Sequence, residues 1–457
     1  MKLGRALPSA LFVLTLSLGA AVGCSGTLDS LGGQTSGGQS SGAARSGGAG
    51  GASASGGTVD ESGEGGTLSD AGEGGAGDRV PTPNPLTHPA SYPNPFIDLL
   101  GKAQPEIDAK LSTAFDQLFH STKADEAIYV PVGTDQAYIH DVFHDDIRSE
   151  GIGVCMVVAV ELGKRDEFDR LWTYAKANLE ETTGAGSGYF DSICDDADAC
   201  LDPYGMEQFA TALLFAHGRW GSTPAAPYGS DALRLIALLR DKEAENGGVV
   251  DDVTSVFDGA TALPREQPTV ANAPYTRSSL QMPAAFELWA EASGDAFWTR
   301  AASAAHAGVV DSADAKTGLW PVDNYFDGTP VAGADFRSVS YRTHFNLALD
   351  TAWGRGSAAE IAAETAVADR LLGFFFTIGL DKYGAMYNLD GTVTDATRQP
   401  GLIAANGALA VASSYVNRKQ FVTAVWNEAI PTGPNRYYDG ILYLTSLLVL
   451  SGQYQIW

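Results

Sequence analysis

The chain has 457 residues, and its 55 acidic side chains outnumber the 29 basic ones, so its formal net charge is −26. Hydrophobic residues make up 44% of the chain, too many for a protein that is disordered throughout. The acidic balance argues against a role on nucleic acid or on an anionic membrane surface, because both require a basic patch. We therefore expect at least one sizeable globular domain that does not bind nucleic acid.

The first 24 residues have the organisation of an export signal. Two positive charges lie between Met1 and Arg5, an apolar stretch runs from Ala6 to Ala21, and small residues precede Cys24. This ending resembles a bacterial lipobox, which implies that Cys24 is acylated after cleavage; an ordinary secretory signal or an uncleaved anchor are the alternatives. The prediction is an exported protein, lipid-anchored in the cell envelope at the outer membrane, facing either the periplasm or the cell surface.

Residues 25–94 are predicted to form a disordered tether. Up to about residue 80 they are mostly Gly, Ser and Ala, which cannot bury enough apolar area to offset the entropy lost on ordering. Prolines from Pro81 to Pro95 then stiffen the chain. No second linker follows, so residues 95–457 are expected to be one domain, and the protein is expected to be a monomer.

The cysteines fit an exported protein. Cys194 and Cys200 lie close together in an acidic loop and could form a local disulfide in an oxidising compartment, with two free thiols as the alternative. Cys155 lies in an apolar run and has no obvious partner.

Helical periodicity dominates from Pro95 to Trp457. Apolar residues recur at i, i+3, i+4 and i+7, as at Phe209, Ala212, Leu213 and Ala216. Twelve segments favour six stacked hairpins, and a closed ring of paired helices, an all-α (α/α)6 barrel, satisfies that number. The predicted helices begin near Pro95, Ser149, Asp166, Gly205, Ser230, Ser279, Asp295, Ser338, Ser357, Leu402, Arg418 and Tyr438.

The strongest local motif is the stretch 144–151, which reads HDDIRSEG. It resembles the acid-bearing motif of glycoside hydrolase family 8, and within that family of the exo-oligoxylanases that release xylose from the reducing end. Further stretches resemble the same family in the same order, at 209–216, 219–221, 283–290, 317–319, 325–330 and 436–443. The resemblance covers about residues 95–457 and implies an (α/α)6 barrel that hydrolyses β-1,4-linked oligosaccharides, here xylo-oligosaccharides, with inversion.

Inverting hydrolysis requires one carboxylic acid to protonate the leaving oxygen and a carboxylate on the opposite face to activate water. By the resemblance, Glu150 is the general acid. Ser149 is expected to cap the helix that begins here, and Asp146 to lie near Glu150. The alternative is that Glu150 is simply a favourable acidic residue in a first turn.

The expected base is missing from its usual place. In the stretch 337–342 the position that holds an Asp in the family is Val339, which cannot accept a proton. Tyr204 and Met206 likewise replace two acidic residues, which leaves Glu207. The base is therefore unassigned, and the candidates are Asp335, Asp323 and Asp327. The alternative to an enzyme is a catalytically impaired relative that serves as an envelope-anchored, oligosaccharide-binding lipoprotein.

Sugar rings are bound by flat aromatic faces and by polar side chains that bond hydroxyls. Seven aromatic residues near helix ends are candidates for stacking: Tyr138, Tyr189, Trp320, Tyr325, Tyr341, Tyr437 and Tyr438. The predicted substrate-binding set is Arg148, Glu207, Tyr341, Arg342, Tyr325, Tyr438 and Asp439.

No metal or other cofactor is predicted. His140 and His144 are spaced as in a zinc-binding helix, but no third ligand is evident. The exo-enzymes of the family block their cleft with a Leu-His-Pro kink, and the matching stretch 398–401 keeps Pro400 but lacks the histidine. Exo action therefore stays open, as does the choice among β-linked glycans. The only membrane contact expected is through the N-terminal lipid.

Overall fold

The computed structural model describes residues 81–192 and 201–457. The predicted signal, the lipidation site Cys24 and the disulfide between Cys194 and Cys200 lie outside these ranges. Cys155 is a buried free thiol. Within the described ranges, no helix is both long enough and apolar enough to cross a bilayer.

Helices dominate the described residues, and twelve of them are ten residues or longer. A short helix α1 (Pro95–Asp98) comes first. The others are α2 (Gln104–His120), α3 (Ser149–Glu161), α4 (Arg165–Asn178), α5 (Pro203–Trp220), α6 (Tyr228–Asn246), α7 (Pro283–Ser293), α8 (Ala296–Asp311), α9 (Arg342–Trp353), α10 (Ala358–Ile378), α11 (Pro400–Leu409), α12 (Arg418–Asn427) and α13 (Tyr438–Leu450). From Ser149 onward, every predicted start lies within four residues of a helix start. At Pro95 only a short turn of helix forms, and α2 begins after Gly101 and Lys102.

The odd-numbered helices from α3 to α13 form a closed inner ring. Contacts join α3 to α5, α5 to α7, α7 to α9, α9 to α11, α11 to α13, and α13 back to α3. The even-numbered helices lie outside, each packed against an inner neighbour. The predicted all-α (α/α)6 barrel is confirmed.

Burial follows from this arrangement. In α3, α5 and α13 nearly every side chain is buried, whereas the outer helices α4 and α6 bury one stripe. A helix that is apolar on all sides must be enclosed by others, and an amphipathic helix can face water. The long apolar runs therefore mark the inner ring.

Connections from an inner helix to the next outer one are short, such as Leu162–Lys164 and Gly294–Asp295, whereas connections back to the inner ring are long. The long connections contain the strands. In the first, β1 (Tyr129–Val132), β2 (Gln136–Asp141) and β3 (Asp146–Ile147) form an antiparallel sheet in that order. Two smaller antiparallel pairs join β4 (Tyr275–Thr276) to β5 (Asn324–Tyr325), and β6 (Met386–Tyr387) to β7 (Val393–Asp395).

Residues 81–94, predicted as the end of the tether, instead pack against the folded domain. The backbone N–H of Asn84 donates to the carbonyl of Ala292 at 2.9 Å, and Thr87 donates its hydroxyl to Glu291 at 2.6 Å. Arg355 also donates to the carbonyl of Thr87. The prediction was wrong for these residues because prolines stiffen a segment without showing whether a partner surface exists for it.

Candidate active site

Glu150 lies in the first turn of α3. The chain enters this helix from β3 through Arg148, whose extended backbone marks the boundary, and Ser149 is already helical. The predicted Ser149 cap was wrong, since its hydroxyl does not cap the helix but donates to Asp202 at 2.9 Å. Asp146 does not contact Glu150 but forms an ion pair with Arg148, with 2.8 Å between Oδ2 and Nη2.

The carboxylate of Glu150 is held by two residues from other inner helices. Its Oε2 lies 2.5 Å from Nη2 of Arg342, the first residue of α9, and its Oε1 accepts a hydrogen bond from the Tyr437 hydroxyl at 3.4 Å. The Arg342 guanidinium in turn lies over the Tyr204 ring, 4.3 Å from its centroid. Burial alone would lower the pKa of Arg342, but the charge of Glu150 and other nearby groups raise it. Arg342 is therefore a permanent cation beside the proposed acid.

Two glycines allow these close contacts. A Cβ on Gly151 would lie 2.5 Å from the Tyr437 hydroxyl, and a Cβ on Gly205 would lie 2.5 Å from the Ser149 hydroxyl. Real side chains do not approach so closely, so any larger residue would push α3 away from its neighbours.

Two further carboxyl groups, those of Asp202 and Glu207, lie near Glu150, and Glu207 is fully buried. Burial, and then the negative charge of Glu150, raises the pKa of Asp202. Burial, and then the charge of Asp202, raises the pKa of Glu207 well above its ordinary value. Glu207 is fully buried, and neither of its oxygens has a hydrogen-bond partner. The prediction that Glu207 binds substrate was wrong, because its side chain is fully buried and does not line the cavity onto which Glu150 faces.

Glu150 opens onto a cavity of about 790 Å³ at the end of the barrel where the long connections lie. Every inner helix except α7 supplies residues from its first turn or from just before it, and the loop before α7 contributes as well. The residues that line the cavity include Asp141, Phe143, Arg148, Glu150, Asp202, Tyr204, Glu266, Arg277, Val339, Arg342, Gln399, Tyr437, Tyr438 and Asp439.

None of the three predicted bases lines this cavity. Asp335 pairs with Arg337 at 2.5 Å, and Asp323 pairs with Arg277 at 2.6 Å. Asp327 is exposed in a turn, where it accepts the backbone N–H of Thr329. Val339, by contrast, does line the cavity, so this position in the turn just before α9 has no carboxylate.

The other predicted sugar-binding residues divide into two groups. Arg148, Arg342, Tyr438 and Asp439 line the cavity, although the carboxylate of Asp439 already accepts the backbone N–H of Gly401. The cavity wall also contains Tyr437, which the aromatic pattern had singled out.

The remaining aromatic candidates do not reach the cavity. Tyr341 is fully buried, with its hydroxyl donating to the carbonyl of Ala385. The Tyr325 ring packs at a tilt against Tyr275, outside the cavity. These two predictions were wrong. Tyr189 and Trp320 are fully buried as well, and Tyr138 packs against Tyr174.

Several residues that line the cavity were not predicted from the sequence. Asp202 immediately precedes α5, and its place just ahead of a helix start was a usable signal. Glu266 lies in the long loop between α6 and α7, where no periodicity indicates which side chains face inward. Phe143, at the hairpin between β2 and β3, is 67% exposed at the cavity.

Within residues 81–192 and 201–457, two groups of His and acidic residues lie close enough together to share a cation. In the first, Asp141 contacts both His144 at 2.7 Å and Arg148 at 3.2 Å, so a guanidinium already occupies the position of the cation. In the second, the buried His306 contacts Glu364 at 2.5 Å, with Asp350 beside them. This second group lies between outer and inner helices and lines no part of the cavity.

Comparisons with known proteins agree with this geometry. A family model described as glycosyl hydrolases family 8 matches residues 141–452. The reducing-end xylose-releasing exo-oligoxylanase Rex8A of Paenibacillus barcinonensis is 33% identical over an alignment of 374 positions, and the match covers 78% of this chain and 94% of that protein. The corresponding exo-oligoxylanase of Halalkalibacterium halodurans is 33% identical over an alignment of 384 positions, and the match covers 80% of this chain and 94% of that protein.

Among solved structures, a family 8 protein from Teredinibacter turnerae in complex with xylobiose has a TM-score of 0.74 and 32% identity, and the match covers 80% of this chain and 98% of that one. The two curated relatives are named as hydrolases. Nothing in these comparisons supports the alternative of an oligosaccharide-binding protein without catalysis.

Proposed function

Because this chain belongs to glycosyl hydrolase family 8 and is a glycosidase, we propose that it hydrolyses β-1,4-linked xylo-oligosaccharides with inversion, with Glu150 as the general acid. The observation that carries the proposal is the position of Glu150. It begins an inner helix, lines the large cavity, and is held from two sides by Arg342 and Tyr437.

The chemistry of the cavity suits a neutral sugar. Tyr438 and Phe143 supply aromatic surface at the wall and the rim, and Arg148 and Arg342 supply donors for hydroxyl groups. Pyranose rings present apolar faces and polar edges, which such a mixed wall can match. The proposal of a xylose-based substrate is supported by the names of the two relatives, both of which are exo-oligoxylanases.

The cleavage position is a separate question. Gln399 lies at the cavity wall immediately before Pro400, where the resembling exo-enzymes have a histidine. A glutamine lacks the imidazole ring and can bond a sugar hydroxyl through its amide. We therefore propose the oligosaccharide class alone, and product analysis will distinguish exo from endo cleavage.

The test is to incubate the purified protein with xylo-, cello- and chito-oligosaccharides of matched length and to follow the products by chromatography and the new anomer by NMR. We expect cleavage of xylo-oligosaccharides to an inverted, α-configured end. Glu150→Gln keeps the side-chain shape and should lower kcat by at least about 100-fold. Absence of cleavage of all three series by the wild type, or full activity of the variant, would contradict the proposal.

We further propose that the protein is exported and anchored through a lipid on Cys24, in the outer membrane. The support is the sequence pattern alone: a short apolar run after two positive charges, closed by small residues and a cysteine. Incorporation of labelled palmitate into the wild type, and its loss in Cys24→Ala, would be the expected result. Equal labelling of both proteins would contradict it.

A further inference from the structure

The ring order defines where a general base must lie. Going round the inner ring in either direction, α9 is three helices from α3, so the two lie on opposite sides. An inverting hydrolase needs a carboxylate across the sugar from its acid, about 6.5–9.5 Å away. At the start of α9 the cavity is lined by Ser338, Val339 and Arg342, none of which can act as that carboxylate.

The carboxyl groups that line the cavity can be sorted by position. Counting only the described residues, they are Asp141, Glu150, Asp202, Glu266 and Asp439. Three of them lie on the side of Glu150. Asp141 contacts Arg148 at 3.2 Å, Asp202 accepts a hydrogen bond from Ser149, and Asp439 lies on α13, the neighbour of α3 in the ring.

Glu266 is the remaining carboxylate, and it comes from a different direction. It lies in the loop that leads to α7, the ring neighbour of α9. Its backbone N–H donates to the carbonyl of Tyr275 at 2.8 Å, which ties this part of the loop to β4. The side chain is 13% exposed, enough for contact with water in the cavity.

An arginine fixes the Glu266 carboxylate. Oε1 of Glu266 lies 2.7 Å from Nη2 of Arg277, and the Nε of the same guanidinium donates to Asp323 at 2.6 Å. Arg277 itself lines the cavity, whereas Asp323 does not. Of the two carboxylates that share this arginine, only Glu266 faces the space where a substrate would lie.

We propose that Glu266 is the general base of this chain and takes the role of the carboxylate that Val339 lacks. The inference rests on the proposed inverting hydrolysis. Glu266 takes a proton from a water molecule as the water oxygen bonds to the anomeric carbon. The bond between that carbon and the glycosidic oxygen breaks, and the departing oxygen takes the proton of Glu150. Glu266 then releases its proton to solvent, and Glu150 regains one.

The test compares Glu266→Gln with Asp323→Asn in the full chain on xylotetraose. Both changes remove one negative charge from Arg277, but only the first removes a carboxylate from the cavity. Glu266→Gln should lower kcat by about 100-fold to 10,000-fold with little change in oligosaccharide affinity. Asp323→Asn should change kcat by less than about 10-fold, because its ion pair is partly exposed. Circular dichroism and thermal denaturation check that both variants fold.

A chemical rescue separates a base from a positioning residue. Azide attacks without the help of a base, so added azide should restore turnover of Glu266→Gln and yield the inverted glycosyl azide, and it should not accelerate the wild type. Full activity of Glu266→Gln, equal losses in the two variants, or a loss that azide does not restore would overturn the proposal. If the wild type itself cleaves no oligosaccharide, the proposed function fails as well, which distinguishes the two failures.

Discussion

Glu150 and Arg342 form an ion pair, 2.5 Å between Oε2 and Nη2, that joins α3 to α9 on opposite sides of the inner ring. The Arg342 side chain is 9% exposed and that of Glu150 16%, so little water screens the pair. A substrate that enters between them must compete with this contact.

Arg342→Ala should lower both stability and activity. It leaves Glu150 without its cation in a largely buried place, which typically costs about 3–5 kcal/mol in the free energy of unfolding. Arg342→Lys retains the charge but loses the planar contact with Tyr204, so we expect a smaller loss of stability and a decrease of roughly 10-fold to 100-fold in kcat. Chemical denaturation and steady-state kinetics measure the two effects. Wild-type stability in Arg342→Ala would show that the pair contributes nothing.

Gly151→Ala should displace Tyr437 from Glu150. The new Cβ would lie 2.5 Å from the Tyr437 hydroxyl, and such overpacking costs about 1–3 kcal/mol. Gly373→Ala is the matched control, since this helical glycine has its nearest neighbour at 3.7 Å and alanine favours helix by up to about 1 kcal/mol. We expect the first variant to melt at a lower temperature and to lose activity, and the second to melt slightly higher. Opposite shifts would contradict this description of the α3 start.

Glu161 should make the protein less stable as pH rises. Burial raises the pKa of Glu161 to about 8, although its Oε2 accepts hydrogen bonds from Trp457 and Gln455. In the unfolded chain the group titrates at about 4.5. Between these values the folded state holds a proton that the unfolded state has released, so the free energy of unfolding falls with increasing pH and levels off above about 8.

Glu161→Gln removes this dependence and keeps an oxygen to accept both hydrogen bonds. We expect the variant to match the wild type near pH 4.5 and to exceed it by roughly 4 kcal/mol at pH 8. Thermal melts at the two pH values test the difference. A stability difference that is the same at both would show that Glu161 does not retain its proton in the folded protein.

Glu364→Gln should destabilise the barrel wall. Glu364 and His306 form a buried ion pair between α10 and α8, and replacing one partner leaves the other uncompensated at a cost of about 3–5 kcal/mol. Burial alone would lower the pKa of His306, but the neighbouring carboxylates of Glu287 and Glu364 raise it to about 10. Glu360→Gln, at the start of the same helix, is the control and should cost less than about 1 kcal/mol. Equal denaturation midpoints for the two variants would refute a special role for the buried pair.

Some elements of the fold and of the site can be predicted from the sequence, whereas others depend on tertiary packing. The inner helices were predictable because full burial demands long apolar runs, as in α13. Glu150 was predictable because its motif is local and precedes a helix. Tyr341 was not, since residues 338–341 form a 3-10 turn that leaves Val339 at the cavity and buries Tyr341. Side-chain direction in such a turn depends on tertiary packing.

The direction of the Glu266 side chain could not be predicted from the sequence either. Its loop has neither helical nor strand periodicity, so nothing in the local pattern distinguishes an inward carboxylate from a solvated one. Its direction depends on Arg277, which lies eleven residues later and also contacts Asp323. Such an arrangement exists only after the loops have folded against one another.

The long connections of this barrel all open at the cavity, while the short ones close its other end. Phe143, Glu266 and Gln399, for example, line the cavity from three separate loops. These loops border the same cavity but do not share a hydrophobic core. Each loop can lengthen, shorten or exchange its polar groups without repacking the inner ring. The loops at this end of the barrel can therefore be engineered one at a time to change sugar preference. The inner ring of helices would keep its stability.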